Sequence, residues 1–194
     1  MFTILLDSSD RSLTVGLGKD DKLLKSISYE AWQSQSEHMI PELDALLNEF
    51  NVSIYDIDSV VVAVGPGSYT GVRISITIAK TIAAALNVKI YAISSLRCQK
   101  DGDKPSICLI NARSGRSYFG VYKGSEIIID DCIMTNDKVM EYISNHPDFV
   151  ICGDTKYRGI EGKRVDIAQE LLSLKSCISP FEEPLAVKPV YMKD

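Results

Sequence analysis

The hydrophobic pattern at the start of the chain predicts three strands followed by a helix. Apolar residues run unbroken or alternate with polar ones over residues 2–6, 12–17 and 22–29, and polar turns separate these segments. Apolar residues then recur at the helical period as far as Phe50, and Ser36 is predicted to cap this helix. We therefore expect a three-stranded meander and then one amphipathic helix.

A second strand and helix follow in the most apolar part of the chain. Residues 60–64 are almost all valine, which is typical of a central strand. A glycine-rich turn over residues 65–71 ends that strand, and either Ser68 or Thr70 can cap the next helix. That helix is predicted over residues 72–86.

The predicted helix 72–86 is apolar around more of its circumference than an ordinary surface helix, which needs an arc of about 100°. One apolar stripe contains Ile74, Ile78, Ile82 and Ala85, and the second contains Val72, Ile76, Ala79, Ala83 and Leu86. Two packing surfaces are therefore expected. One is the helix's own sheet, and the other is either another part of the same domain or a second protein.

The order of predicted elements repeats in the second half of the chain. The first half closes with a strand over residues 89–93 and a weak helical stretch over 94–99, and the charged residues 100–105 are the best linker candidate. Beyond them we predict strands over 106–110, 117–122, 126–134 and 149–152, a helix over 137–145 capped by Asn136, a loop, a helix over 165–174 and a tail that contains prolines. Asp7 and Asn111 occupy matching positions, which indicates an internal duplication of a lobe.

This repeated order is similar to a known two-lobed architecture. A βββαβ lobe that occurs twice resembles the actin/Hsp70-like (ASKHA), ribonuclease H-like α/β fold. We expect a first lobe over residues 1–100 and a smaller, reduced second lobe over residues 105–194. In that fold, an acidic residue in the turn after the first strand of each lobe grips phosphate and metal. Asp7 matches this position in the first lobe, and Asn111 occupies it in the second.

Composition narrows the classes of function. The chain has 194 residues and a net charge of −5, so it lacks the basic footprint of a protein that binds nucleic acid by itself. If RNA is involved, we expect another subunit to supply the positive surface. No apolar run approaches the roughly 18 residues of a membrane span, and the five cysteines show neither metal-ligand nor redox spacing. A cytoplasmic protein with reduced thiols and no membrane contact is expected.

The commoner catalytic motifs do not fit the sequence. The glycine-rich turn is one residue off the spacing of a dinucleotide fingerprint, and it lacks the lysine of a P-loop. His38 and His146 lie far apart, so neither a two-histidine zinc motif nor a Ser-His-Asp order is indicated. Arg113 and Arg116 could bind an anion, although such arginines are more often solvated or paired with acids. We predict no catalytic residue, no metal site and no cofactor.

Residues 65–74, Gly-Pro-Gly-Ser-Tyr-Thr-Gly-Val-Arg-Ile, resemble the signature of the TsaB (YeaZ) family. Agreement extends to short segments at residues 7–9, 36–38, 94–96, 112–115 and 189–191. It covers the first lobe more fully than the second. The chain departs from the family pattern at Ser75, Asn111 and Arg116, where members usually have Gly, Asp and an acidic residue.

The resemblance implies a subunit of the bacterial machinery that makes N6-threonylcarbamoyladenosine (t6A) in tRNA. Such members act as a non-catalytic platform that pairs with the catalytic homologue TsaD through the two helices of the first lobe, and the TsaE ATPase joins at that junction. TsaD carries its metal on two histidines after the last strand of its first lobe, where this chain has no histidine over residues 94–98. The platform would meet tRNA only indirectly, and it would form a homodimer when alone.

The two helices of the first lobe carry the predicted partner interface. Its residues are His38, Met39, Glu42, Leu43, Leu46, Val72, Arg73, Ile76, Ala79, Lys80 and Ala83. Asp7, Ser9, Arg113 and Arg116 are the candidate contacts for an anion or nucleotide. An enzyme of a different class, an ATPase or a metal-dependent peptidase working in the interlobe cleft, stays open as the alternative. A stoichiometric metal, or ATP turnover by the pure chain, would favour it.

Overall fold

The first half of the chain folds around a five-stranded sheet. The computed structural model describes residues 1–192. The first sheet contains β1 (Phe2–Asp7), β2 (Ser12–Lys19), β3 (Lys22–Glu30), β4 (Ile57–Ala63) and β5 (Lys89–Ile93), in the spatial order β3-β2-β1-β4-β5. The first three strands form an antiparallel meander, and β4 and β5 run parallel to β1. β4 is buried along most of its length, which explains its run of valines.

Two helices cover one face of this sheet. α1 (Gln35–Glu49) lies mainly over β2, and α2 (Tyr69–Leu86) lies mainly over β4. Their buried side chains join one core with the strands, in which Met39 and Ile76 meet Val60 and Val62. This core explains the helical period that the sequence shows in both segments.

The second sheet repeats the topology of the first. It contains β6 (Ser106–Arg113), β7 (Arg116–Lys123), β8 (Glu126–Thr135) and β9 (Val150–Gly153), with α3 (Asn136–Asn145) between the last two strands. Their order, β8-β7-β6-β9, reproduces the order β3-β2-β1-β4, and within residues 1–192 no strand stands in the place of β5. The predicted α/β fold with a duplicated lobe and a reduced second copy is confirmed.

A helix from the end of the chain covers the other face of the first sheet. α4 (Ile167–Lys175) packs Ala168 and Leu171 against Leu5 and Val61. Although α4 falls in the sequence range predicted for the second lobe, its apolar side therefore completes the core of the first. Among residues 1–192, no helix combines the length and the apolar character needed to cross a membrane.

The residues after α4 also return to the first sheet. The backbone N–H of Phe181 donates to the carbonyl of Ile90 (2.9 Å), and the N–H of Val190 donates to the carbonyl of Val64 (2.7 Å). Between these two anchors, Val187 is buried in the same core as α2. We call residues 179–192 the tail, and it lies along the side of α2 next to β5.

Two predicted helix caps are wrong by one or two positions. α1 begins after Ser34, and the Ser34 hydroxyl donates to the carbonyl of Ala31 (3.2 Å) instead of accepting from the helix. Ser36 is therefore already inside the first turn. α3 begins after Thr135, and Asn136 is already its first residue. The Asn136 side chain accepts a hydrogen bond from the Ser117 hydroxyl (2.8 Å).

The charged segment predicted as a linker is anchored in the fold. Lys100 is only 3% exposed, and its ammonium group pairs with the carboxylate of Glu170 on α4. The same carboxylate accepts from the N–H of Gly102 (3.1 Å). An unpaired charge at this depth would be costly, so the pairing explains how a charge-rich segment can be buried.

Candidate functional site

The glycine-rich turn packs against the turn after β1. The N–H of Ser68 donates to the carbonyl of Ser9 (2.6 Å), and the hydroxyl of Ser8 donates to the carbonyl of Gly71 (2.7 Å). A side chain at Gly67 or Gly71 would collide with the backbone of residues 8–9. These glycines therefore permit a close approach between two turns. The Ser68 hydroxyl accepts from the N–H of Gly71 (3.2 Å), so of the two predicted caps, Ser68 and Thr70, it is Ser68 that caps α2.

Matching turns follow the first strand of each sheet. The carboxylate of Asp7 accepts from the N–H of Ser9, and the side-chain carbonyl of Asn111 accepts from the N–H of Arg113, both at 2.8 Å. Each is an Asx turn, in which a short side chain replaces a backbone acceptor. The equivalence of Asp7 and Asn111 that the sequence predicts therefore holds down to a single hydrogen bond.

Burial raises the pKa of Asp7, the acidic residue in the first of these turns. Desolvation by burial, together with the negative charge of the neighbouring Asp10, raises the pKa of Asp7 from 3.8 to about 7. Burial also raises the pKa of Asp154, in the second lobe, and Asp10 again adds to this effect. Carboxylates from both lobes therefore lie close together. Nevertheless, among residues 1–192 no three His, Cys, Asp or Glu side chains are grouped so as to hold a metal ion.

The four candidate anion contacts differ in their access to solvent. Asp7 and Ser9 are buried, whereas Arg113 is exposed at the end of β6. Arg116 lies half-buried at the start of β7. An anion that approached Asp7 would meet several carboxylates in a region of low polarity. The structure thus places the two residues of the first lobe in the interior, and the role of all four as anion contacts stays a prediction.

Most of the predicted interface residues belong to the core of this chain. Seven of them are at most 3% exposed: Met39, Leu43, Leu46, Val72, Ile76, Ala79 and Ala83. They pack between the helices and the first sheet, so a partner could reach them only if the helices left the sheet. The sequence could not separate this stripe from an outward one, because both are apolar. This part of the predicted interface is corrected accordingly.

The other four predicted interface residues are accessible but lie on two separate flanks. His38 packs its ring edge against Tyr29 of β3, and the carboxylate of Glu42 accepts from the Tyr29 hydroxyl (2.8 Å). Arg73 and Lys80 lie on the opposite side, where both donate hydrogen bonds to the tail. These four residues therefore do not form one continuous surface.

An apolar surface does remain open between these flanks. On α2, Ile74 and Ile78 are half-buried and Ala85 is exposed, and their spacing places them on one side of the helix. On α1, Ile40 is 48% exposed and lies about 200° around the axis from Glu42, away from β3 and toward α2. We call Ile40, Ile74, Ile78 and Ala85 the open helix face. Three of them belong to the first stripe that the sequence predicts, and Ile40 was missed.

The segment after β5 has a structural role of its own. The Ser94 hydroxyl donates to Asp131 of β8 (2.6 Å) and accepts from the N–H of Leu96 (3.1 Å). The Ser95 hydroxyl accepts from the N–H of Gly65 (2.9 Å). These bonds join the end of the first sheet to the glycine-rich turn and to the second sheet.

Comparison with known proteins agrees with the resemblance in the signature. A family model described as "TsaD: tRNA N6-adenosine threonylcarbamoyltransferase" matches residues 29–161. The tRNA threonylcarbamoyladenosine biosynthesis protein TsaB of Bacillus subtilis is 32% identical over 137 residues, which are 69% of this chain and 60% of that protein. The chain belongs to the TsaB (YeaZ) family. It spans about 60% of the length of the curated TsaB relatives that it matches.

Two further comparisons cover nearly the whole chain. The uncharacterized protein MG208 of Mycoplasma genitalium is 25% identical over 201 residues, which are 100% of this chain and 95% of that protein. The structure of YeaZ from Pseudomonas aeruginosa superposes with a TM-score of 0.80 at 22% identity, and the match covers 98% of this chain and 99% of that one. The TsaB fold therefore extends through both lobes.

Proposed function

We propose that this chain is a scaffold subunit for t6A biosynthesis in tRNA. Membership of the TsaB family supports this proposal, because the named relatives are described as t6A biosynthesis proteins. In this role the chain holds a TsaD-like catalytic subunit in its working conformation, by binding that conformation more tightly than others. The TsaE-like ATPase joins the pair at their junction.

The observation that carries the proposal is the open helix face. Two neighbouring helices leave Ile40 and Ala85 exposed and Ile74 and Ile78 half-buried after their other stripe has been buried on the sheet. A TsaD-like subunit is homologous and has a comparable pair of helices in its first lobe, so the two pairs can pack together. A stable interface of this kind buries about 1,000 Å² or more. In the absence of the catalytic subunit, a second copy of this chain uses the same face.

Two features support a platform without chemistry of its own. Residues 94–98 contain no histidine, and Ser94 and Ser95 use their hydroxyls to join turns and strands. The glycines of the signature turn serve a close backbone contact at Ser8 and Ser9. The catalytic metal and its ligands are therefore assigned to the partner. ATP turnover by the pure chain would favour the competing enzyme instead.

Two matched substitutions test the proposed interface. Ala85→Glu places a charge on the open helix face, and Ala45→Glu places the same charge on an exposed position of α1 outside that face. A desolvated, unpaired carboxylate costs more than about 1.4 kcal/mol, so Ala85→Glu should weaken binding to the TsaD-like subunit at least about tenfold. Ala45→Glu should leave binding unchanged.

The readouts are the amount of the TsaD-like subunit that co-purifies with each tagged variant and the t6A content of tRNA from cells that depend on it. We expect both to fall for Ala85→Glu alone. Normal co-purification and normal t6A with Ala85→Glu would show that this face is not the interface. An equal loss of the partner with both variants would mean that the added negative charge causes the loss, whatever its position on the two helices.

A further inference from the structure

A groove runs between α2 and the tail, on the other side of α2 from the open helix face. Its volume is about 430 Å³, which is within the usual range for ligand pockets. Apolar side chains form its floor, among them Ile76 and Val187, which are buried. Its basic side chains are Arg73, Lys80 and Lys188. We call this the tail groove.

Positive charge is concentrated in the tail groove although the whole chain carries −5. The side chains that line it include three cations and no carboxylate. Among residues 1–192, none of the three forms a salt bridge within 4.0 Å. The protein thus keeps a small basic surface on an acidic molecule, and such a surface attracts anions.

Arg73 is held in place before any ligand arrives. Its Nε donates to the hydroxyl of Tyr191 (2.6 Å), and its guanidinium carbon lies 3.9 Å from the centre of the Tyr69 ring. The two tyrosine rings stack on each other with their centres 5.1 Å apart. Because the Arg73 side chain is already ordered by these contacts, binding an anion would cost it little further freedom, and a planar guanidinium suits phosphate.

We propose that the tail groove binds the phosphates of nucleotides in a single-stranded segment of RNA. Arg73 and Lys80 are two helical turns apart, a rise of about 10 Å, which suits a strand with repeated charges. Tyr69 is 59% exposed and Tyr191 is 41% exposed, so their rings offer a stacking surface at the end of the groove. Cations combined with aromatic rings are the usual means of holding single strands.

With this groove, the chain itself supplies part of the positive surface that we expected from another subunit. That the strand belongs to tRNA rests on the proposed function, whereas the groove chemistry does not. A free nucleotide carries the same phosphates, so it is the second possible source of the ligand. The contact is local, because only three cations take part and the rest of the surface is acidic on balance.

The test uses the full chain without any partner. A fluorescein-labelled single-stranded RNA of about 12 nucleotides, within the span of single-strand sites, is titrated with protein at low salt and followed by anisotropy. Neutralising three phosphates predicts a slope of log K against log salt of about −2. Lys188→Gln should weaken binding at least about threefold and make that slope shallower by about 0.7.

Lys123→Gln is the matched control, because Lys123 is also exposed but lies at the far end of β7. It changes the net charge equally and should leave both the affinity and the slope unchanged. Tyr191→Phe keeps the ring and removes the acceptor of Arg73, so we expect it to weaken binding less than Lys188→Gln does. Displacement of the RNA by AMP at a matched phosphate concentration would identify a free nucleotide as the ligand, and resistance to AMP would identify the strand.

Three results would overturn the assignment. They are the absence of RNA binding at low salt, an equal loss with Lys188→Gln and Lys123→Gln, or equal displacement by polyglutamate at a matched charge concentration. Displacement by polyglutamate would show that the groove binds polyanions in general and does not select nucleic acid. Because no partner is present, failure here leaves the interface test with Ala85→Glu untouched. Conversely, loss of the TsaD-like interface would leave this titration valid.

Discussion

Gly71 lies at the start of α2 with its backbone against the carbonyl of Ser8. A glycine in a helix normally costs about 1 kcal/mol relative to alanine, so its use here needs a compensating reason. That reason is the contact between the glycine-rich turn and the turn after β1, which leaves no room for a side chain. The most recognisable segment of the sequence thus fixes the geometry of the first lobe.

We predict that Gly71→Ala destabilises the protein despite the better helix propensity of alanine. The new Cβ must push the backbone of residues 8–9 aside, and overpacking of this kind costs about 1–3 kcal/mol. Thr70→Ala, one residue earlier and exposed, should change stability by less than about 0.5 kcal/mol. Urea unfolding followed by circular dichroism measures both variants. A stabilised Gly71→Ala would contradict the close-contact explanation.

Asp7 makes stability depend on pH. Its pKa is about 7 in the folded protein and 3.8 at its ordinary value, so the folded state holds the proton more tightly than the unfolded state. The resulting stabilisation is complete below pH about 4 and is lost as the pH rises to about 7. At about 1.4 kcal/mol per pKa unit, the loss is at most about 4.5 kcal/mol.

Asp7→Asn should therefore raise the free energy of unfolding above neutral pH and flatten its pH dependence between about 4 and 7. Asparagine keeps the acceptor for the N–H of Ser9, as Asn111 does for Arg113. Asp7→Ala loses that acceptor and should be less stable than Asp7→Asn at every pH. Unfolding curves measured across this pH range test the prediction, and an unchanged pH profile for Asp7→Asn would contradict it.

Among the elements, α4 and the segment around Lys100 are coupled by the buried ion pair with Glu170. Removing one partner leaves a buried charge uncompensated, which costs about 3–5 kcal/mol, whereas removing both charges costs much less. We predict that Glu170→Gln is strongly destabilised and that adding Lys100→Met restores most of the loss. Glutamine keeps the acceptor for the N–H of Gly102. Equal unfolding midpoints for the single and the double variant in urea would show that the pair has no such role.

Local pattern predicts some elements well and others poorly. β4 could be predicted, and the cap of α2 could be narrowed to Ser68 or Thr70, because a valine run and a capping residue act within a few positions of sequence. The burial of Lys100 could not, since its partner Glu170 is 70 residues away. Likewise, Arg73 meets Tyr191 across 118 residues of sequence. No local period encodes either of these two contacts.

The two apolar stripes of α2 also show what a local pattern cannot predict at the candidate site. The helical period predicts that α2 packs on two surfaces, and it packs Ile76 inward and leaves Ile78 half-buried. It could not say which stripe faces the sheet, because isoleucine and alanine occur in both. The choice depends on packing against the sheet, which is a tertiary contact: the stripe with Ile76 joins the core formed with β4.

At the scale of the whole molecule, the first lobe differs from the second in the helices and surfaces that it carries. The first lobe has helices on both faces of its sheet, and it carries the open helix face and the tail groove on either side of α2. The second lobe is joined to the first through the hydrogen bond between Ser94 and Asp131, and the buried pair of Lys100 and Glu170 anchors the segment between the lobes to α4. In the two proposals made above, α2 binds a protein partner on one side and an RNA strand on the other.

The proposal that this chain is a platform depends most directly on the mass of the particle that it forms. Light scattering during size-exclusion chromatography is run on the chain alone, on the chain mixed with its TsaD-like subunit, and on Ala85→Glu in the same mixture. We expect the wild-type mixture to give one peak with the mass of a heterodimer, and Ala85→Glu to give two separate species. Separate species for the wild-type chain at micromolar concentration, or a heterodimer unaffected by Ala85→Glu, would contradict the assignment of the open helix face as the partner interface.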